Sequence, residues 1–168
     1  YEILSRDWSS DVALPILNTT DGVRTLDKIR FAQFDFGSGS QIIFVDGVNN
    51  ASVFDGTNWH AIDSGNSGGN GNAGGDQALD APSLVDVFEN HIFISGDRTS
   101  QSTVAHSAPN DPLTWNVSAG GGQLVTGFKV VQIKPFRDNL FVFGNNSIKK
   151  VVPDLIAGFV QEQVTANV

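Results

Sequence analysis

One short pattern occurs three times in this chain at nearly even spacing. Each copy is an apolar run that ends on glycine: IFVDG at 43–47, IFISG at 92–96 and LFVFG at 140–144. The central residues, Phe44, Phe93 and Phe141, are 49 and 48 residues apart. An apolar run closed by a turn residue is typical of a β-strand. An all-strand unit repeated about every 40 to 50 residues is typical of a β-propeller blade.

The copies also agree upstream of the apolar run. Phe88 and Phe136 each precede the run by four residues, and Phe36 precedes it by seven. Polar residues or glycine follow each phenylalanine, so every copy is predicted to open with an antiparallel hairpin. The turn is predicted to be longer in the first copy.

Two copies share a second pattern downstream, with four residues from aspartate to tryptophan: Ser52, Asp55 and Trp59, and then Ser107, Asp111 and Trp115. Aspartate beside glycine or proline predicts a tight turn. Each tryptophan is then expected to cover apolar surface between neighbouring sheets.

Composition agrees with an all-β class. The chain has 168 residues, twelve Phe, eighteen Gly and no Cys, and no long helical pattern interrupts it. The missing cysteine excludes disulfides and thiolate metal sites. No apolar run approaches the roughly 18 residues that a membrane span requires. We therefore predict about three four-stranded antiparallel repeats of 48–49 residues.

The domain prediction follows these repeats through a propeller region at 29–168. An N-terminal arm or strand of uncertain packing is predicted at 1–28. The propeller region comprises blades at 29–63, 84–118 and 124–153, a flexible Gly/Asn/Ser loop at 64–76, and the start of a further blade at 159–168. Pro153 is expected to stop the third blade's strand. Because a propeller has at least about four blades, we expect this chain to be part of a larger propeller.

Candidate chemistry is weak throughout, and we predict no catalytic, cofactor or metal site. The three histidines, His60, His91 and His106, lack a ligand spacing and are expected at surfaces or turns. The loop at 64–76 has asparagines where a calcium turn needs carboxylates, so a linker is predicted. No Ser/His/Asp order stands out, and the abundance of aspartate is weak evidence for a glycosidase.

The Ser, Asp, Trp turns resemble in part the Asp-box of sialidase-type propellers. Asp55 stands one residue too close to Trp59, and Asp111 is followed by Pro112. That resemblance implies an arginine cluster and a tyrosine nucleophile, whereas the five arginines are scattered and the single tyrosine is residue 1. The chain is therefore not expected to be an enzyme.

Charge is uneven along the chain, whose net charge is -8. Residues 1–128 hold 15 acidic and 5 basic side chains, and residues 129–168 hold 3 acidic and 5 basic ones. Two interpretations stay open: ordinary solvated surface, or a basic patch that meets an acidic partner. The five residues of that patch are Lys129, Lys134, Arg137, Lys149 and Lys150.

Four phrases occur in an order that resembles the β-propeller region of bacteriophage tail nozzle (tail tubular) and related tail-hub proteins. They are FVDGVNNASVFDGTNWHAI (44–62), SLVDVFENHIFISGD (83–97), SAPNDPLTW (107–115) and FRDNLFVFGNNSIKKV (136–151). The resemblance implies a non-enzymatic virion structural protein. Copies would form a homo-oligomeric ring around the DNA exit channel, contact other tail or portal-adaptor proteins, and pass DNA during ejection without sequence-specific binding.

An acidic balance suits that role, since a negative channel wall repels phosphates. Two alternatives remain. A glycan-binding or glycan-cleaving propeller would recognise a host polysaccharide, and a secreted interaction propeller would be monomeric.

Overall fold

A computed structural model describes residues 28–37, 39–62 and 79–166. The predicted loop at 64–76, and all of the predicted arm except Lys28, lie outside these residues. The described chain forms twelve β-strands and one single-turn 3-10 helix, Val117–Ala119.

The strands form three four-stranded antiparallel sheets, and each sheet is built from four consecutive strands. The first sheet contains β1 (Arg30–Asp35), β2 (Ser40–Val45), β3 (Ser52–Phe54) and β4 (Trp59–Ala61). The second contains β5 (Leu84–Phe88), β6 (His91–Ser95), β7 (Thr103–His106) and β8 (Gly122–Val125). The third contains β9 (Gln132–Phe136), β10 (Asn139–Phe143), β11 (Ser147–Asp154) and β12 (Gly158–Ala166). The predicted all-β class with three propeller-like repeats is confirmed.

Each copy of the apolar run lies in the second strand of its sheet, and each run is preceded by the predicted hairpin. Phe88 pairs with His91 and Phe136 with Asn139, so two residues form each of these turns. In the first sheet Asp35 pairs with Ser40, which makes that turn longer, as predicted.

The sheets meet mainly through their first strands, because β5 contacts both β1 and β9. Arg30 and Leu84 are the first residues of β1 and β5, and Val131 directly precedes β9. These three residues line one cleft. The first strands therefore all begin at the same end of the molecule, an arrangement typical of propeller blades.

Two apolar cores lie between the three sheets, one at each contact between neighbouring sheets. Ile92 and Ile94 of β6 belong to the core shared with the first sheet, and Phe93 between them belongs to the core shared with the third. All three side chains are fully buried. This double burial explains why β6 reads as a continuous apolar run, since a strand covered on both faces has no polar side.

The apolar run of the first copy is oriented differently from that of the second copy. Ile43 and Val45 pack toward the second sheet, so Phe44 lies on the outer face. In β6 the matched residue, Phe93, faces the next sheet. The sequence match therefore identifies the same strand but not the same face, because a shift of one residue reverses every side chain of a strand.

The predicted end of the second blade was wrong. Leu124, predicted as the start of the third blade, lies in β8 and pairs with Val104 of β7. The 3-10 helix and a left-handed Gly120 close the connection that brings β8 back to this sheet. The second repeat therefore extends from β5 to Val125.

The predicted further blade at 159–168 was also wrong, because Gly158–Ala166 pairs with β11 as the fourth strand of the third sheet. The Asp154 carboxylate accepts hydrogen bonds from the amides of Ile156 and Ala157, at 2.8 and 2.7 Å, and so reverses the chain onto β11. Pro153 does not stop this strand. It pairs with Phe159, one residue before the strand ends.

Candidate functional site

An aromatic surface covers the outer side of the first sheet. Phe31 pairs with Phe44, and Phe54 pairs with Trp59. The ring centroids are 6.2 Å apart for Phe31 and Phe44, 5.1 Å for Phe44 and Trp59, and 4.8 Å for Phe54 and Trp59. Phe31 is 66% exposed. We call these four residues the first aromatic face.

The two tryptophans of the repeated turn have different positions. Trp115 is fully buried between the first and second sheets, and its indole Nε1 donates to the Pro112 carbonyl at 2.9 Å. The prediction for Trp115 is confirmed. The prediction for Trp59 was wrong, because its register with Phe54 places it on the outer face of its own sheet.

The third sheet also has an aromatic outer side. The rings of Phe136 and Phe141 are 6.4 Å apart, and those of Phe141 and Phe143 are 6.3 Å apart. Phe136 is 61% exposed, and the Arg137 guanidinium lies 5.3 Å from the centre of its ring. We call these three phenylalanines the third aromatic face.

Basic residues accompany the third aromatic face. Phe141 pairs with Lys134 on one side and with Lys150 on the other. Lys134 also bonds to Asp86 of the second sheet, at 2.6 Å, and Lys150 bonds to Glu162 at 2.8 Å.

The five predicted basic residues do not form one patch. Lys149 pairs with the core residue Val142, and its ammonium lies over the Phe128 ring at 5.9 Å. Lys150, the next residue, belongs to the opposite side of β11. Lys129 lies in the cleft where the first strands begin.

The aspartates of the repeated pattern form the predicted turns. The Asp55 carboxylate accepts from the amides of Thr57 and Asn58, at 2.8 and 2.7 Å, and contacts His60 at 3.2 Å. The hydrogen bonds from Asn58 and Thr57, with a smaller effect of His60, lower the Asp55 pKa to about 2. Asp111 accepts from the Leu113 amide at 2.9 Å.

The serines at the start of the pattern are buried. The Ser107 hydroxyl accepts from the Ile92 amide and donates to the Ala108 carbonyl, at 3.0 and 2.9 Å. Ser107 therefore ties the turn to β6.

His106 is buried between the second and third sheets, where its ring lies 5.5 Å from that of His91. Only 6% of its surface is exposed, so the predicted surface or turn position was wrong for this residue. Burial lowers its pKa to about 4, despite the opposing effect of its hydrogen bond to the Ser107 carbonyl. The signal for this position was the period of two in β7, which places His106 on the same side as the core residue Val104.

In the described part of the chain, no group of three or more histidine, cysteine, aspartate or glutamate residues is placed to hold a metal ion. No described helix has the length and apolar character of a membrane span.

The fold defines this chain as an all-β protein of three propeller-like repeats. A scan against models of known protein families finds no match to it, and a search of curated proteins finds none either. The resemblance to phage tail propellers therefore stays a prediction.

Proposed function

We propose that this chain is a non-enzymatic structural module whose copies associate head to tail, with the third aromatic face of one copy packed on the first aromatic face of the next. The main support for this proposal is the difference in exposure between the phenylalanine side chains of the outer sheets and those of the middle sheet. Phe31 and Phe136 are 66% and 61% exposed, whereas Phe93 of the middle sheet is fully buried.

The middle sheet indicates what covers such a face. Both of its sides pack against another four-stranded sheet, and the three central residues of its second strand, Ile92 to Ile94, are apolar. The outer sheets have the same construction and an aromatic outer face. A phenylalanine or tryptophan side chain can bury about 150 to 250 Å². Each Å² of buried apolar surface stabilises the contact by roughly 25 cal/mol. Clustered exposed rings of this kind mark association surfaces.

The charge distribution favours a contact between the third and first aromatic faces over a contact between two copies of the same face. Residues 129–168, which include the third sheet, carry a net charge of +2, and the preceding residues carry -10. Arg137 lies on the third aromatic face, and Asp35 lies in β1 beside the first. A contact between third and first faces therefore brings opposite charges together. A head-to-tail contact that closes produces a ring.

The sequence resemblance supports a particular setting for such a ring. We assign the module to the virion of a bacteriophage, in the tail nozzle or hub around the DNA exit channel. Neighbouring tail or portal-adaptor proteins are its further partners. The acidic balance of the chain supports this assignment, because a negative wall weakens phosphate binding and lets DNA pass.

The test uses two variants of the full chain and measures mass by sedimentation velocity and native mass spectrometry. Wild type is expected to form concentration-dependent oligomers larger than a dimer. Phe31→Asp disables the first face and Phe136→Asp the third, so each variant alone should be monomeric. A mixture of the two should form a one-to-one dimer that cannot grow, because one intact face remains on each partner.

Val117→Asp is the matched control, since Val117 is equally exposed and belongs to neither face. This variant should assemble like wild type. A like-with-like contact would instead let one of the two single variants dimerise by itself. A wild-type chain that stays monomeric at all concentrations would overturn the proposal, and binding of that monomer to host polysaccharide would favour glycan recognition.

A further inference from the structure

We infer that the cleft where the three first strands begin is a binding site for a small organic anion that carries a phosphate or carboxylate group. The cleft has a volume of about 370 Å³, which lies within the usual range for small-molecule sites. Its lining comes from all three sheets. We call it the three-sheet cleft.

Three cations from separate segments of the chain line this cleft. Arg30 begins β1, Arg98 lies between β6 and β7, and Lys129 lies between β8 and β9. This convergence contrasts with the net charge of -8 for the whole chain. Cations gathered from distant parts of an acidic chain produce a local positive potential that attracts anions.

The acidic residue in the lining is already engaged. Asp97 is 2% exposed, and its carboxylate accepts from the amides of Ala81, Thr99 and Ser100, at 2.8, 2.7 and 3.1 Å. The Thr99 hydroxyl donates to it as well, at 2.6 Å. These bonds occupy both carboxylate oxygens within the Asp97 loop, and the described lining of the cleft holds three cations against this one carboxylate.

The wall of the cleft is built from close backbone contacts. Gly47 donates its amide to the Pro82 carbonyl at 2.9 Å, and Ser83 donates its own to Ser95 at 2.9 Å. Gly47 and Gly96 have φ angles of +74° and +79°. A side chain at Gly96 would collide with the Ser83 hydroxyl. The two glycines thus let the chain pass closely and leave the cleft open.

The cationic segments are held in register with this wall. Arg30 donates from its guanidinium to the Ser83 carbonyl. The Val130 amide donates to the Gln101 carbonyl at 2.8 Å, which joins the Lys129 segment to the Arg98 loop. A site whose donors are positioned before binding loses less entropy when a ligand arrives.

The test is a titration of the full ¹⁵N-labelled chain with inorganic phosphate, and separately with citrate, at constant ionic strength. Saturable amide shifts are expected at Gly47, Gly96, Gln101 and Val130. The anion with the lower dissociation constant identifies the preferred group. The double variant Arg98→Gln with Lys129→Gln should weaken binding by about tenfold or more, the effect of losing one or two charged hydrogen bonds.

Lys150→Gln provides the control, because Lys150 is basic but pairs with Glu162 on the outer strands of the third sheet. Its affinity should equal that of wild type. Arg30 is left unchanged because it also supports Ser83. The inference is overturned if neither anion gives saturable shifts, if the shifts are spread over the whole surface, or if Lys150→Gln weakens binding as much as the double variant does.

Discussion

The imidazole rings of His91 and His106 meet edge to face at 5.5 Å, on two neighbouring strands of the second sheet. Phe159 of β12 lies 4.9 Å from each of them. The two histidines therefore contribute to the packing between the second and third sheets. Both have lowered pKa values, chiefly because burial disfavours the charged ring.

Stability is expected to fall between pH 6.5 and pH 4. The folded-state pKa of His106 is about 4, below its ordinary value of 6.5, so the unfolded chain binds protons more readily in this range. The stability that His106 contributes is complete above pH 6.5 and is lost as the pH falls toward 4, with a magnitude of about 3 kcal/mol. Urea unfolding from pH 4.5 to 7.5 measures this slope.

His106→Leu should flatten that slope by roughly one proton. His60→Asn is the comparison, because it also removes a histidine but one that lies outside the cluster and contacts Asp55. Glu89 is the charged group that acts on the pair. It raises the His91 pKa and so partly offsets the lowering of that pKa by burial. An unchanged slope in His106→Leu would show that His106 is not buried in its neutral form.

The reversed face of the first apolar run leads to a second prediction. Phe93→Ala should lower the free energy of unfolding by about 3 to 5 kcal/mol, because it opens a cavity between two sheets. Phe44→Ala, at the matched sequence position, should cost less than half as much in the monomer, because its ring is half-buried on an outer face. Equal losses, measured by urea unfolding at low protein concentration, would contradict the opposite orientation of the two residues.

The sequence predicted the strands much better than it predicted their neighbours. Period-two alternation and turn residues located the hairpins around Phe88 and Phe136, because these signals are local. The pairing of Leu124 with Val104 depends instead on the long connection after β7. The reversal at Asp154 likewise decides where β12 pairs. A strand pattern in the sequence does not predict which sheet the strand will join, or at which edge.

The same limit applies to the candidate sites. Alternation shows that Phe44 and Phe93 differ in side from their direct neighbours, but it does not show which side another sheet will cover. Arg30, Arg98 and Lys129 are far apart in the chain, and only the common starting end of the first strands brings them into one cleft. No local motif marks such a convergence.

The turn between β5 and β6 can be stabilised. Glu89 and Asn90 have φ angles of +47° and +61°, the left-handed conformation that a two-residue hairpin turn requires and that glycine and asparagine adopt most easily. Replacing the pair by Asn-Gly, through Glu89→Asn and Asn90→Gly, should raise the free energy of unfolding by about 0.5 to 1 kcal/mol. Thermal unfolding measures the gain.

Asp138→Gly is the matched control for this prediction, because Asp138 occupies the corresponding second turn position but does not have a positive φ. It should be neutral or destabilising, since glycine adds freedom to the unfolded chain there. A similar gain from both changes would indicate that turn conformation is not the cause.

Asp97 should contribute more to stability than an aspartate in an exposed turn. Its carboxylate is buried and accepts four hydrogen bonds, with one oxygen bound by Ala81 and the other by Thr99 and Ser100. Burial alone would raise its pKa, but these bonds outweigh that effect and lower it. Asp97→Asn must place an amide N–H against one set of donors, at a cost of about 1 to 3 kcal/mol.

Asp154→Asn is the comparison, because Asp154 makes two similar amide bonds in an exposed turn. Water can replace a partner there, so the loss should stay below about 1 kcal/mol. Both aspartates have lowered pKa values, so their contributions are present above the ordinary aspartate pKa of 3.8 and are lost as the pH falls below it. Urea unfolding at pH 7 compares the two variants, and an equal loss would mean that burial of the Asp97 carboxylate does not strengthen its role.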